Sequence, residues 1–140
     1  MKALFDTNVV LDVLLNRQPF ADDAAQLMSR VERSEINGFL CTTTVTTIHY
    51  LIEKALGAES AMQHIRLLLS LFEVAPVNRV VIESALERGF SDFEDAVIDE
   101  ATCHSGAEYI ITRNIRDFKN SSVPAYTPSG FIQVLDALTG

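Results

Sequence analysis

Short apolar stretches alternate with amphipathic segments along the whole chain. Apolar runs with a β-branched bias predict strands at 2–5, 38–44, 72–77, 108–112 and 123–126. Helical spacing of apolar residues predicts helices at 9–15, 20–33, 45–56, 59–71, 78–88 and 92–104, and a last one from 129 onwards. Strands that alternate with helices indicate a parallel sheet covered on both faces. We therefore expect an α/β protein, a three-layer α/β/α fold with a doubly wound, mainly parallel sheet of four or five strands.

Polar and small residues mark the ends of these segments. Asn37 and Gly38 predict a turn before the second strand. Ser91, with Glu94 three residues later, has the spacing of a capping box at a helix start. Ser129 is placed to cap the terminal helix.

Composition limits the class of protein. A chain of 140 residues with 48% hydrophobic residues fits one domain, 1–140, with a substantial core. The first apolar stretch is stopped by Asp6, so neither a signal peptide nor a membrane span is predicted there, and we expect a cytoplasmic protein. Cys41 and Cys103 lack metal-ligand spacing and are expected to be buried free thiols. The net charge of −8 argues against an electrostatic nucleic-acid binder, unless the acids are concentrated at a metal site or face a basic partner.

Aspartates stand where the predicted strands and helices meet. Asp6 closes the first strand, Asp92 and Asp95 lie in SDFEDA, and Asp117 follows the strand EYIIT. Ligands of parallel α/β sheets bind at the carboxyl ends of the strands. Carboxylates that converge there repel each other by about 3 kcal/mol per pair at ~5 Å and an effective dielectric constant near 20. Such a cluster needs a cation, and a hard Mg²⁺ or Mn²⁺ ion would support metal-assisted phosphoryl chemistry.

Other acids and polar groups extend this cluster. Asp92, Asp95 and Asp99 fall within an arc of roughly 60° on one helix. The favourable effect of negative charge at a helix start accounts for Asp92 and Asp95 taken alone, but not for Asp99. Asn8 follows Asp6 closely and could orient it, whereas Asp12 is interpreted as an ordinary solvated residue.

Four segments resemble a known family. The runs FDTNVVLDVLL, DFEDAVIDEA, GAEYIITRNIRDF and VPAYTPSGFI are similar to those of PIN domains, in particular to the bacterial branch of VapC-like toxin ribonucleases of toxin–antitoxin pairs. The resemblance covers essentially the whole chain. It implies a doubly wound parallel sheet, an acidic site for Mg²⁺ or Mn²⁺, and endonucleolytic cleavage of single-stranded RNA. The partners it implies are the RNA, a protein antitoxin and a second copy of the chain, with no membrane.

The resemblance also assigns roles to positions. Asp6, Asp95 and Asp117 match the acids that hold the metal, while Thr112 and Asn114 match the turn TRN that orients the site. Asp92 is a further acid that could supply a third contact or bind an ordered water.

Two positions depart from the family pattern. His49 stands where many members have a glutamate, and Asn114 stands where many have an aspartate, so each position lacks a negative charge. Glu53 could replace the first acid, and Asp92, Asp99 or Asp117 the second. His49 has three interpretations: a metal ligand, a phosphate contact or, most commonly for a lone histidine between apolar neighbours, a satisfied core residue.

Positive charge near the acids is confined to one segment. Arg113, Arg116 and Lys119 flank Asp117 and are suited to the phosphates of RNA, with Arg113 as the first candidate. The alternative is that all three are solvated surface charges.

Two rival functions remain. The first is a catalytically inactive PIN-like protein-binding module, favoured by the two missing acids and by the negative charge. The second is a phosphatase of the haloacid dehalogenase kind, which is disfavoured because its second aspartate would fall at Asn8. For the toxin-like nuclease, the antitoxin is expected to lie between helices 20–33 and 45–56 and to insert a basic side chain among the carboxylates.

Overall fold

The computed structural model describes residues 1–139 and contains a five-stranded sheet between two layers of helices. The strands lie in the order β3-β2-β1-β4-β5, and every neighbouring pair is parallel. The elements along the chain are β1 Lys2–Phe5, α1 Thr7–Leu14, α2 Ala21–Glu32, β2 Asn37–Cys41, α3 Thr42–Leu56, α4 Ala58–Leu71, β3 Glu73–Ala75, α5 Arg79–Leu86, α6 Phe93–Ser105, β4 Tyr109–Ile111, a 3-10 helix Ile115–Phe118, β5 Ala125–Tyr126 and α7 Pro128–Thr139. The predicted α/β fold is confirmed.

Alternation along the central strand places one core on each face of the sheet. Ala3 and Phe5 of β1 are fully buried in a core shared with α1, α2, α3, α4 and α7. Leu4, between them, points to the opposite core, which includes residues of α5 and α6. Successive side chains of a strand face opposite ways, so both faces of an interior strand must be apolar.

The strand order creates a crevice beside β1. The chain moves outwards from β1 to β2 and β3, then crosses back to place β4 on the other side of β1. Such a reversal leaves an opening at the carboxyl ends of the two strands on either side of it. Phe5 is in register with Ile111 of β4, so Asp6 and Thr112 follow at the same edge of the sheet.

Several predicted boundaries were wrong. Gly38 lies in β2, as the predicted strand required, but the turn predicted at Asn37 and Gly38 is absent, and α3 begins at Thr42 directly after the strand. Gly38 is required by packing, since a Cβ atom there would lie 2.7 Å from the ring of Phe72. The predicted strands 72–77 and 123–126 are reduced to three and two residues.

Two helix caps also differ from prediction. Asp92, not Ser91, is the N-cap of α6. At α7 the Thr127 hydroxyl accepts a hydrogen bond from the Gly130 amide at 3.1 Å, whereas Ser129 lies inside the helix.

Two further predictions concern the state of the cysteines and the absence of a membrane span. Cys41 is buried as a free thiol, but Cys103 is exposed, contrary to expectation. Among residues 1–139, no helix is long and apolar enough to cross a membrane.

Candidate active site

Asp6 is the most buried acid at the sheet edge. It directly follows β1, and its amide donates a 2.8 Å hydrogen bond to the carbonyl of Ile111 at the end of β4. The Thr7 amide donates to Asp6 Oδ1 and the Thr112 hydroxyl to Oδ2, both at 2.8 Å. Asp6 is 6% exposed and also serves as the N-cap of α1. The carboxylate is therefore held rigidly at the junction of a strand and a helix.

The surroundings of Asp6 oppose its charge. Burial raises the pKa of the Asp6 carboxyl above its ordinary value, and the negative charge of Asp117 raises it further. Hydrogen bonds from Thr112 and Thr7 act in the opposite direction, as does the more distant guanidinium of Arg113. The net direction is upward, so the contacts within the chain do not fully compensate a charge at this position.

The start of α6 brings more carboxylates to the same place. Asp92 caps the helix by accepting hydrogen bonds from the amides of Glu94 at 2.8 Å and Asp95 at 3.4 Å. Burial raises the pKa of Asp95 to about 7, with additional repulsion from Asp92, Asp6, Asp117 and Glu94. The mutual effects show that α6, β1 and the segment after β4 bring their acids together, as the sequence predicted.

Glu94 is a member of the cluster that sequence reasoning assigned only to capping. Burial raises its pKa, and the charges of Asp92 and Asp6 raise it further. Its position two residues after the capping aspartate and beside Asp95 was the available signal. Five carboxylates thus surround the carboxyl end of β1.

The donor set suits a hard divalent ion, although the side chains do not form a ready-made cage. Within residues 1–139, no three acidic, histidine or cysteine side chains are arranged to ligate one ion together. Mg²⁺ keeps several waters and is commonly bound through one or two carboxylates. An electrostatically strained pair such as Asp6 and Asp95 fits that mode of binding.

Asp12 is a buried ion-pair centre and not the solvated residue that was expected. Its side chain is fully buried. Arg17 donates from Nε to Asp12 Oδ1 at 2.8 Å, and Arg113 Nε lies 2.8 Å from Oδ2. The second contact is a close ion pair without hydrogen-bond alignment, and Arg113 Nη2 also donates to Oδ1 at 3.3 Å. Asp12 thereby holds Arg113 beside the acidic cluster.

The basic segment after β4 differs from residue to residue. Arg113 is half-buried, and its guanidinium lies 4.0 Å from the centre of the Phe20 ring. Arg116, Asp117 and Lys119 are exposed. These three side chains are therefore accessible to a ligand, while Arg113 is committed to a fixed position.

Asp99 lies outside the group of mutually repelling acids. Arg88 pairs with both Asp99 and the adjacent Glu100, and the Ser121 hydroxyl donates to Asp99. Arg88 also donates to the carbonyl of Asn120 at 3.3 Å. This network attaches the segment that follows the 3-10 helix to α6. Asp99 thus supports the geometry of the site through an ion pair and a hydrogen bond.

Two residues of α3, His49 and Thr44, differ from what the sequence predicted. His49 is 43% exposed and lies 3.7 Å from Glu53, so the interpretation as a core histidine was wrong. Thr44, by contrast, is fully buried and accepts a 3.0 Å hydrogen bond from the Thr7 hydroxyl. Sequence reasoning missed Thr44, because a threonine in the run TTTVTT has no distinguishing pattern.

The two predicted asparagines occupy different positions. Asn8 is half-buried in the first turn of α1, and its carbonyl accepts a 3.2 Å hydrogen bond from Arg17. Asn114 is exposed, and its backbone amide donates a 3.0 Å hydrogen bond to the Thr112 hydroxyl. That bond fixes the turn that carries the partner of Asp6.

Comparison with known proteins identifies the family of this chain. The PIN domain family model matches residues 2–116, and the chain therefore belongs to the PIN domain family. The chain is 20% identical to Ribonuclease VapC1 of Aquifex aeolicus over 137 residues, which is 94% of both proteins.

Solved structures show the same architecture. A chain of a toxin–antitoxin complex from Klebsiella pneumoniae is similar with a TM-score of 0.68 and 25% identity, over 90% of this chain and 97% of that one. A chain of the DNA-bound VapBC structure from Salmonella typhimurium gives a TM-score of 0.69 at 16% identity, over 91% and 98% of the two chains. At 16% identity, the similarity to the Salmonella typhimurium chain shows a shared fold only.

Proposed function

We propose that this protein is a cytoplasmic, divalent-metal-dependent endoribonuclease that hydrolyses phosphodiester bonds of single-stranded RNA, and that it acts as the toxin of a toxin–antitoxin pair. The observation that carries the proposal is the uncompensated charge at the end of β1. Asp6 and Asp95 both have raised pKa values because they are buried near other acids. A folded protein that maintains such repulsion gains from a cation there. Similarity to a ribonuclease supports RNA as the substrate.

Asp6 and Asp95 would hold Mg²⁺ or Mn²⁺ directly, and Asp117 and Asp92 would contact the ion through ordered waters. A divalent ion supplies two effects at such a site, a lowered pKa of its bound water and neutralisation of charge on the reacting phosphate. The products would carry a 3′-hydroxyl and a 5′-phosphate. The role of the chain is to orient the acids: Thr112, which directly follows β4, fixes Asp6 by a direct hydrogen bond.

Contacts to the RNA would come from the segment that carries Asp117. Arg116 and Lys119 are exposed beside it and suit phosphate oxygens. Asn8, two residues after Asp6, and Asn114, two residues after Thr112, would offer uncharged donors to the RNA. Arg113 contributes a fixed positive charge, because the buried carboxylate of Asp12 holds it in place.

A protein partner is supported by the similar toxin–antitoxin complex. We propose an antitoxin whose segment lies against α2 and α3 and inserts a basic side chain among the carboxylates, which complements the net charge of −8. Apolar side chains of α3 are available to it: Leu51 is 36% exposed and Leu56 is 51% exposed. Pairing with a second copy of the chain is compatible with the same surface.

The second candidate is a catalytically inactive binding module. It is favoured by His49 and Asn114, which lack the acids that many PIN domains have. The exposed position of His49, paired with Glu53, does not replace a ligand at the cluster.

The decisive experiment measures cleavage of a 5′-labelled unstructured RNA by the wild type and by the Asp6→Asn and Asp95→Asn variants. We expect cleavage with Mn²⁺ or Mg²⁺, none with a chelator, and a loss of at least about a thousandfold in each variant, the equivalent of roughly 4 kcal/mol in the barrier. Asp22→Asn removes the same charge from an exposed position in α2 and should retain full activity. A wild type that binds the antitoxin but cleaves no RNA with any divalent ion would establish the inactive module instead.

A further inference from the structure

A pocket of about 370 Å³ opens beside the acidic cluster. It lies where the starts of α2 and α7 meet the turn after β4, and its lining includes Phe20, Asp23, Arg113, Thr127 and Ser129. None of these residues belongs to the five carboxylates around β1. The turn connects the two places, since it also presents Asp117 a few residues further on.

The pocket has a planar wall that is already assembled. The guanidinium of Arg113 lies 4.0 Å from the centre of the Phe20 ring, and Phe20 is 41% exposed despite its size. Arg113 is fixed from behind by Asp12, which is fully buried. An exposed aromatic ring with a clamped guanidinium provides a stacking surface at little cost in conformational entropy, because neither group needs to be ordered on binding.

The remaining lining is polar. Asp23 is half-buried, whereas its neighbour Asp22 is exposed and accepts a 3.1 Å hydrogen bond from Gln18. An ionised carboxylate accepts hydrogen bonds only, so Asp23 selects a ligand that presents donors. The hydroxyls of Thr127 and Ser129 can donate or accept. A nucleobase fits these features, because it is planar and carries hydrogen-bond donors on its edge.

We propose that this pocket is a nucleobase subsite for the RNA substrate, in which a base next to the scissile phosphate stacks on the Phe20–Arg113 wall and is read by Asp23. Single-stranded RNA is recognised in this way by unstacked bases on aromatic or arginine planes and by hydrogen bonds to base edges. Guanine is the expected base, because its Watson–Crick edge carries two neighbouring donors that a carboxylate can accept together. This inference rests on the proposed ribonuclease function and specifies where that site selects its substrate.

The test uses the full chain and four 5′-labelled RNA hexamers, each an oligouridine with U, C, A or G at one central position. Binding is measured by fluorescence anisotropy in the Asp6→Asn background, and cleavage in the otherwise unchanged protein with Mn²⁺. We expect the wild type to prefer the guanosine hexamer by about tenfold over the all-uridine one. Phe20→Leu keeps an apolar side chain but removes the ring, and should weaken binding of all four by about tenfold.

The matched pair Asp23→Asn and Asp22→Asn separates reading of the base from general charge. Both remove one negative charge from the same turn of α2, so an electrostatic effect on RNA would be equal in the two. We expect Asp23→Asn to abolish the guanosine preference in binding and in kcat/KM, and Asp22→Asn to retain it. Circular dichroism and thermal melts check that each variant is folded.

The outcomes distinguish the subsite from the function. If the wild type cleaves RNA, and Phe20→Leu and Asp23→Asn leave affinity and base preference unchanged, the subsite is refuted while the ribonuclease stands. If those variants are unchanged toward RNA but lose capture of the co-expressed product of the neighbouring reading frame, the pocket belongs to a protein partner and the proposal is likewise overturned. If the wild type cleaves none of the hexamers and the Asp6→Asn protein binds none of them, both the subsite and the ribonuclease function are refuted.

Discussion

Two pairs of aspartates in this protein are alike in sequence and opposite in electrostatics. Asp12 and Asp99 are fully buried, and each is paired with arginine. Asp6 and Asp95 receive hydrogen bonds or lie near a helix start, but the nearest charges are mostly negative and their pKa values are raised. Both kinds of aspartate occur on the same two helices, since α1 carries Asp12 after the capping Asp6 and α6 carries Asp99 one turn after Asp95.

The comparison separates carboxylates whose charge is compensated within the chain from carboxylates whose charge is not. A buried acid with an arginine partner has its compensation within the chain, so its charge is part of the fold. A buried acid surrounded by other acids has no such compensating charge. Its repulsion therefore destabilises the folded state unless a bound ligand neutralises it. Burial alone would have grouped Asp6 with Asp12; only the sign of the neighbouring charges divides them.

The largest test of this division is the stability of Asp99→Asn against Asp95→Asn. Asp99→Asn removes the charge that pairs with Arg88 and replaces one acceptor oxygen with an NH2 donor, while Arg88 keeps Glu100, so we expect a loss of ~2 kcal/mol, typical of a lost charge-assisted hydrogen bond. Asp95→Asn relieves repulsion and should leave the free energy of unfolding equal or raised. Urea denaturation at pH 7.5 with a chelator measures both.

The exposed Asp22→Asn serves as the control for general loss of charge and should change stability by less than about 0.5 kcal/mol. Equal destabilisation by Asp95→Asn and Asp99→Asn would contradict the division, because it would mean that Asp95 is also compensated in the folded state.

A smaller effect is expected in the pH dependence of the same proteins. The folded pKa of Asp95 is about 7, against an ordinary value of 3.8. Below about pH 4 the carboxyl is protonated in both states and costs nothing. As pH rises from 4 to 7, the unfolded chain releases the proton first, so the folded state loses stability, and the full penalty is present above pH 7. Because Asp95 is partly exposed, we expect only ~1 kcal/mol after screening.

Thermal melts of wild type and Asp95→Asn between pH 4 and 8, both with a chelator, check this. Their difference should be absent at pH 4 and grow toward pH 8 in favour of the variant. Millimolar Mn²⁺ should raise the melting temperature of the wild type and not of the variant, because only the native acidic site binds the ion. If the difference in melting temperature between the two proteins shrank with rising pH, the raised pKa of Asp95 would be contradicted.

The sequence contained enough to predict the sheet and the acids at its edge, because strand ends in a parallel sheet converge whatever the details of the loops. It did not distinguish the paired from the unpaired aspartates. Arg17, the nearer partner of Asp12 at five residues, lies beyond the end of the same helix and so does not follow helical spacing. Arg88 is eleven residues from Asp99, and Arg113 is 101 residues from Asp12. Thr44 was missed for the same reason, since its contact with Thr7 spans 37 residues.

The smallest effect concerns His49 and Asn114, the two positions where many PIN domains have an acid. It tests which of them lies among the acids at the end of β1 that have no arginine partner. Asn114 lies in the turn bonded to Thr112, whereas His49 faces Glu53 on the surface of α3. Asn114→Asp should therefore lower the Mn²⁺ concentration for half-maximal cleavage by about tenfold for each 1.4 kcal/mol gained. His49→Glu should leave it unchanged and cost only a few tenths of a kcal/mol through repulsion from Glu53 one turn away. Titration of Mn²⁺ against the wild type and both variants decides between them. If His49→Glu lowered that Mn²⁺ concentration as much as Asn114→Asp, residue 49 would belong to the acidic site. The assignment of His49 and Glu53 to a surface ion pair would then be wrong.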